Sequence, residues 1–260
     1  MRGGRRKLAC MPDNSLQTNL DAIRARITAA CARAGRDPSE VRLLPVSKTV
    51  DAARLRAAYD LGIRELGENK VQEAQGKWEA MEDLADLRWV LIGHLQSNKA
   101  KHAARFISEF QALDSTRLAE TLDRRLQMEG RAIDVLVQVN TSGEDSKFGL
   151  PPDEVVDFVR TLPAYSSLRV RGLMTLALFS PDEALVRPCF VRLRELRDRL
   201  RQEAPDGIVM DELSMGMSGD FEMAIEEGAT TVRVGTAIFG ARPTADSEYW
   251  PGFAGKKSGA

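Results

Sequence analysis

The chain is poor in metal ligands and in reactive sulfur. Its 260 residues include two histidines, His94 and His102, and three cysteines, Cys10, Cys31 and Cys189. Two imidazoles cannot build a multi-histidine metal centre. Three widely spaced thiols form neither a disulfide framework nor a thiolate cluster, which fits a reducing, cytoplasmic compartment. An excess of one charge is also lacking: 37 Lys and Arg face 38 Asp and Glu, for a net charge of −1. No global basic field therefore draws the protein to nucleic acid or to a membrane surface. Apolar runs of membrane-spanning length are missing as well. After the basic start Met1-Arg2-Gly3-Gly4-Arg5-Arg6-Lys7, only Leu8-Ala9-Cys10-Met11 follow, too few for a secretory apolar core. Residues 1–15 read as a flexible extension and 244–260 as a loose tail. That leaves 16–243 as one domain.

What is present is regular alternation. Apolar residues at Leu20, Ile23, Ile27 and Ala30 predict a helix over 16–34, closed by Gly35. Strands are then predicted at 43–46, 63–67, 88–93, 107–113, 133–139, 170–176, 210–213 and 231–235. Between them helices are predicted at 51–61, 69–81, 98–106, 115–128, 152–162, 181–203 and 220–227, with a short one after Thr236. Ser115 suits a cap and Pro152 a first turn. Strict alternation implies a parallel sheet, because parallel neighbours need a crossover. Eight units in this length predict an α/β fold, a single (β/α)8 TIM barrel with an additional N-terminal helix. An open doubly wound sheet is the alternative.

In a barrel the functional face lies at the C-terminal ends of the strands. There the sequence puts Ser47-Lys48, Gly67-Glu68-Asn69, Gly93-His94, Asp114, Asn140-Thr141, Met174-Thr175, Ser214-Met215-Gly216 and Gly235-Thr236. Lys48, after Leu43-Leu44-Pro45-Val46-Ser47, is the single lysine of that set. Burial disfavours an ammonium, and the free amine can add to a carbonyl. The plainer reading is a lysine that reaches out to solvent. Ser214-Met215-Gly216-Met217-Ser218-Gly219-Asp220 and Arg233-Val234-Gly235-Thr236 follow strands seven and eight, where barrels often hold phosphate. Ordinary turns would also use these glycines. Arg233 alternates with Val232 and Val234, so it projects inward, toward an acceptor on a ligand or toward a barrel carboxylate such as Glu68. An amine, a phosphate cradle and a guanidinium suit pyridoxal phosphate held as a Schiff base, or a sugar-phosphate substrate in an aldolase-type site.

The run from Leu43 to Arg242 resembles the pyridoxal-phosphate homeostasis protein family. The resemblance rests on Val46-Ser47-Lys48-Thr49, Gly67-Glu68-Asn69-Lys70-Val71-Gln72-Glu73, Ile92-Gly93-His94-Leu95-Gln96-Ser97-Asn98-Lys99, Ser146-Lys147-Phe148-Gly149, Leu213-Ser214-Met215-Gly216-Met217-Ser218 and Arg233-Val234-Gly235-Thr236. It implies an alanine racemase N-terminal-domain-like barrel with pyridoxal 5'-phosphate on Lys48. It further implies that Asn69, Ser214, Ser218, Gly235 and Thr236 surround the phosphate and that Arg233 faces the pyridine nitrogen. A cation there disfavours a second one on the ring, which weakens the ring as an electron sink.

Racemases resembling this barrel add a β domain and a catalytic tyrosine. Here 25 residues follow Gly235, and Tyr59, Tyr165 and Tyr249 all fall away from the strand ends. A second acid/base is therefore not evident. The reading is a monomeric, non-enzymatic carrier that holds the cofactor and passes it to apo-enzymes; an amino-acid racemase is the alternative. Lys147 is expected to be a solvated loop charge or phosphate contact rather than a relay for the aldehyde, and His94 a structural residue at a helix start rather than a proton shuttle.

Overall fold

The computed structural model describes residues 14–144 and 148–240. Lys147, Tyr249 and the tail after residue 243 lie outside that range, as does most of the N-terminal extension. The strands are β1 (Arg42–Pro45), β2 (Glu65–Glu68), β3 (Arg88–Leu91), β4 (Glu109–Leu113), β5 (Ile133–Gln138), β6 (Leu168–Met174), β7 (Glu212–Ser214) and β8 (Thr231–Val234). The helices are α1 (Asn14–Arg33), α2 (Ala52–Asp60), α3 (Val71–Ala80), α4 (Ala100–Ala103), α5 (Thr116–Met128), α6 (Val155–Thr161), α7 (Glu183–Glu203), α8 (Phe221–Glu226) and α9 (Thr236–Phe239). All pairings are parallel, in the order β1-β8-β7-β6-β5-β4-β3-β2. One bridge, Val46 to Gly67, joins the two ends, and the Ser47 N–H donates to the Gly67 carbonyl over 2.9 Å. That seam makes the sheet a barrel and removes its exposed edges. None of the described helices is long and apolar enough to cross a membrane.

Local chemistry sets the element ends. The Asp51 carboxylate caps α2 by accepting from the Arg54 N–H, and Asp182 caps α7 by accepting from Ala184. Helix α7 therefore starts at Glu183 rather than 181, and it carries Pro188 within it. Ser115 precedes α5, but its hydroxyl makes no capping bond. Pro152 lies in a turn before α6, and residues 97–99 form a tighter helical turn before the short α4. His94 therefore sits in the β3–α4 loop and not at a helix start. The apolar core continues on both sides of the sheet. Val135, Leu136 and Val137 of β5 are all buried, as a strand covered on both faces requires. Helix α1 lies against α8 and α9, where Arg26 makes a two-pronged bond to Glu222 (2.7 and 2.9 Å) and Asn19 donates to the Ile238 carbonyl.

The N-terminal end of the barrel is charged. Every strand but β8 has an ionisable residue at its first or second position. Arg42 grips Glu109 with two bonds of 2.8 and 2.7 Å, Arg88 pairs with Glu65 at 3.0 Å, and Asp134 receives Arg169 and Arg171 at 2.8 and 3.0 Å. Burial pushes the Asp134 carboxyl up, but the two arginines outweigh it and hold the group below its ordinary 3.8. A carboxylate held low stabilises the fold above 3.8 and loses that contribution as pH falls through its folded value. Asp134→Asn is expected to cost about 1 kcal/mol near neutrality, the scale of partly exposed pairs. Urea midpoints measured down the pH scale should show parent and variant converging in acid. A gap that stays constant would rule this account out.

Candidate functional site at the barrel mouth

The alternation of β1 determines where Lys48 sits. Arg42 reaches across to β4, and Leu44 shares its register with Arg233 of β8. Both therefore point inward, and the same period carries on through Val46 to Lys48. Lys48 is only 7% exposed. The reading of a lysine that reaches out to solvent is not what the fold gives. Thr49, next in the chain, has φ = +65°, the one non-glycine residue with a left-handed backbone among the described residues. Beside Lys48 lies a cavity of about 250 Å3, whose lining includes Lys48, Thr49, Gly235 and Thr236 together with the charged Asp51 and Arg54.

The loops after β7 and β8 meet at this place. The Arg233 N–H donates to the Gly216 carbonyl at 3.0 Å, and the Thr236 and Ser218 hydroxyls lie 3.4 Å apart. Gly216 has φ = +92°, and a Cβ there would sit 2.6 Å from Ala224 Cβ and 2.9 Å from Phe221 Cα. Only glycine fits that turn. The structure thus brings Lys48, Gly235 and Thr236 to one cavity, with Ser218 against Thr236. Asn69 follows β2, half-buried, and its carbonyl lies so close to Gly93 that a Cβ on Gly93 would approach to 2.2 Å.

Arg233 is 3% exposed and is held by neutral acceptors. It donates to Ser214 Oγ (2.6 Å) and to the Thr175 carbonyl (2.7 Å). The Ser214 hydroxyl in turn donates to Gln111 Oε1 at 2.6 Å, and Gln111 Nε2 donates to Glu109 Oε1 at 2.6 Å. A polar column therefore runs from the mouth to the charged base. It commits the Ser214 hydroxyl to Arg233 and Gln111, apart from Ser218 and Thr236. Burial lowers the Arg233 guanidinium to about 10, with Asp220 opposing, so it stays cationic at neutral pH. The alternative pairing of Arg233 with Glu68 is not made. Glu68 points to the helix layer, where its Oε1 accepts from Ser47 Oγ and Lys77 Nζ, both at 2.6 Å. Burial raises its carboxyl despite Lys77, and Glu68 Oε2 has no hydrogen-bond partner among the described residues.

Three groups escaped sequence reasoning: Gln111, Lys77 and Glu73. Lys77 donates to the Ser47 carbonyl (2.7 Å), Glu68 and Glu73 (2.7 Å), and Glu73 accepts from the Thr49 N–H at 2.6 Å. Their i,i+4 spacing resembles an ordinary surface pair, which hid the burial. On another part of the mouth, His94 Nδ1 lies 3.7 Å from Asp114 and its ring stacks on Phe148 at 4.1 Å. Burial raises Asp114, with the His94 charge opposing. No group of three or more potential metal ligands occurs among the described residues.

Comparison with known proteins agrees with this fold. Residues 18–243 match the family model of the alanine racemase N-terminal domain. The pyridoxal phosphate homeostasis protein of Aquifex aeolicus is 42% identical over 223 residues, covering 86% of this chain and 96% of that protein. Its namesake from Pseudomonas aeruginosa is 41% identical over 229 residues, covering 88% and 96%. Among solved structures, PipY of Synechococcus elongatus with PLP bound superposes with a TM-score of 0.74 at 39% identity, covering 84% of this chain and all of that one (100%). Alanine racemase from Streptomyces lavendulae shares the fold alone, at 19% identity and a TM-score of 0.67, with 86% of this chain and 58% of the racemase covered. The barrel, the buried strand-end lysine and these relatives together place the chain in the pyridoxal phosphate homeostasis protein family.

Proposed function

We propose that this protein binds pyridoxal 5'-phosphate covalently through Lys48, stores it and releases it to apo-enzymes, without turning over amino acids. The observation that carries the reading is a lysine 7% exposed that lines one cavity together with Gly235 and Thr236. The donor set fits the group at both ends. Lys48 Nζ suits the aldehyde, while the Ser218 and Thr236 hydroxyls and the first turn of α9 suit a phosphate. When bound, the cofactor would supply an electrophilic aldehyde, which the Lys48 amine would hold as a reversible covalent link.

The protein's own residues bias that site toward holding rather than reacting. Arg233, fixed by Ser214 and Thr175, would present a permanent cation to the ring nitrogen and disfavour its protonation. Asn69 adds a half-buried amide at the neighbouring strand end. The test starts from the purified wild-type protein with added pyridoxal phosphate. A visible absorbance band should appear, borohydride should fix it, and peptide mapping should find the adduct on Lys48. The loaded protein should then restore activity to a cofactor-free aminotransferase while racemising no amino acid. No band, or label scattered over surface lysines, would overturn the binding assignment. Amino-acid turnover would overturn the carrier assignment.

A further inference from the structure

Lys48 belongs to two peptide units, and α3 holds both of them. The carbonyl of the unit before it, from Ser47, accepts from Lys77 Nζ at 2.7 Å. The N–H of the unit after it, from Thr49, donates to Glu73 Oε1 at 2.6 Å. Lys77 and Glu73 are themselves paired at 2.7 Å, and Lys77 also binds Glu68, whose side chain is 1% exposed. One ion cluster thus fixes the backbone on either side of the lysine. At the same point Thr49 takes φ = +65°, a conformation that a β-branched residue holds only when its surroundings impose it.

We infer that Glu73 and Lys77 are positioning residues that clamp the Ser47–Thr49 backbone in its strained form and so aim Lys48 into the cavity. The inference rests on the cofactor assignment above. It also assigns the strain a role: the left-handed turn at Thr49 bends the chain out of the β1 line directly after Lys48. Loss of either clamp residue lets the turn relax and the lysine wander.

The experiment uses the full chain in four forms: wild type, Glu73→Ala, Lys77→Met and Glu73→Ala combined with Thr49→Gly. Amide hydrogen exchange at Thr49, read on the cofactor-free protein, reports the clamp directly and should accelerate in Glu73→Ala. The rate of borohydride-trapped adduct on Lys48, with pyridoxal phosphate in excess, should fall about tenfold or more in both single variants, the scale of a misplaced reacting group. Glycine adopts φ near +65° unaided, so Thr49→Gly should recover most of the rate lost in Glu73→Ala. If Glu73→Ala does not fold, Glu73→Gln replaces it: an amide oxygen still reaches Thr49, Lys77 keeps Glu68 as its one carboxylate partner, and trapping should slow about threefold. Trapping at the wild-type rate in the single variants, or no recovery with glycine, overturns the clamp. Absence of any adduct in wild type overturns the cofactor assignment instead, while Thr49 exchange still reads out the clamp.

Discussion

Lys48→Ala is expected to abolish the visible band and every trace of borohydride-stable adduct, while the barrel stays folded. No other described lysine lines the cavity beside Gly235 and Thr236. Lys77, the nearest alternative by sequence, is committed to the Ser47 carbonyl and two carboxylates on the far side of the backbone. Alanine removes a buried stem and its ammonium together. The lost packing destabilises and the relieved desolvation stabilises, so the net change in unfolding free energy should stay within about 1–2 kcal/mol. Lys48→Arg separates charge from chemistry: the guanidinium keeps the cation but does not give up its proton to become a nucleophile. It too should show no band. A residual adduct of normal intensity in either variant would mean that another amine carries the cofactor.

Glu109→Ala should be the most damaging change to stability. Glu109 is 2% exposed and takes two bonds from Arg42 and one from Gln111. Burial works against the Arg42 charge, and the Glu109 bonds more than make up for it. Without that carboxylate the guanidinium keeps only Glu65, 3.8 Å away, and the more distant charge of Glu212, and Arg42 Nε already lacks a partner among the described residues. Stripping one member from a buried pair typically costs about 3–5 kcal/mol, a third or more of a typical domain's stability. Urea unfolding at neutral pH would measure it, and a loss below about 1 kcal/mol would show that water already screens the pair. The double replacement Arg42→Met with Glu109→Met should recover much of the loss, because no charge is then stranded.

The eight-fold alternation was open to reading because each unit declares itself locally. The apolar Val135-Leu136-Val137 at the centre of β5 and the glycines after α2 and α8 fix strand and helix without tertiary knowledge. Lys48, Gly235 and Thr236 could be assigned to one end because strand ends in a barrel share a face. Partners were harder. Arg233 could be seen to point inward, but whether it met Glu68, a ligand or a hydroxyl depends on which strands face each other across the barrel. Gln111 and Glu109 alternate with buried Phe110 and Ala112, a visible sign that polar groups enter the barrel, yet their counterparts Arg42 and Ser214 lie 67 and 103 residues away. Glu73 and Lys77 were hidden for the opposite reason. An i,i+4 acid–base spacing is common on exposed helix faces, so nothing in it calls for a second role.

The column Arg233–Ser214–Gln111–Glu109–Arg42 also limits how this barrel can change. Each donor along the first four members points toward the base, so a substitution at the base reorients the hydroxyl that holds the cation at the mouth. Cores usually tolerate repacking when volume is kept. Here the middle of the core is a single directed chain, and filling it with leucine or methionine would firm up the scaffold while leaving Arg233 with the Thr175 carbonyl alone. Selection for a sturdier barrel and selection for its ligand chemistry therefore act on the same side chains, and drift should be freest on the outer helices away from Glu73 and Lys77.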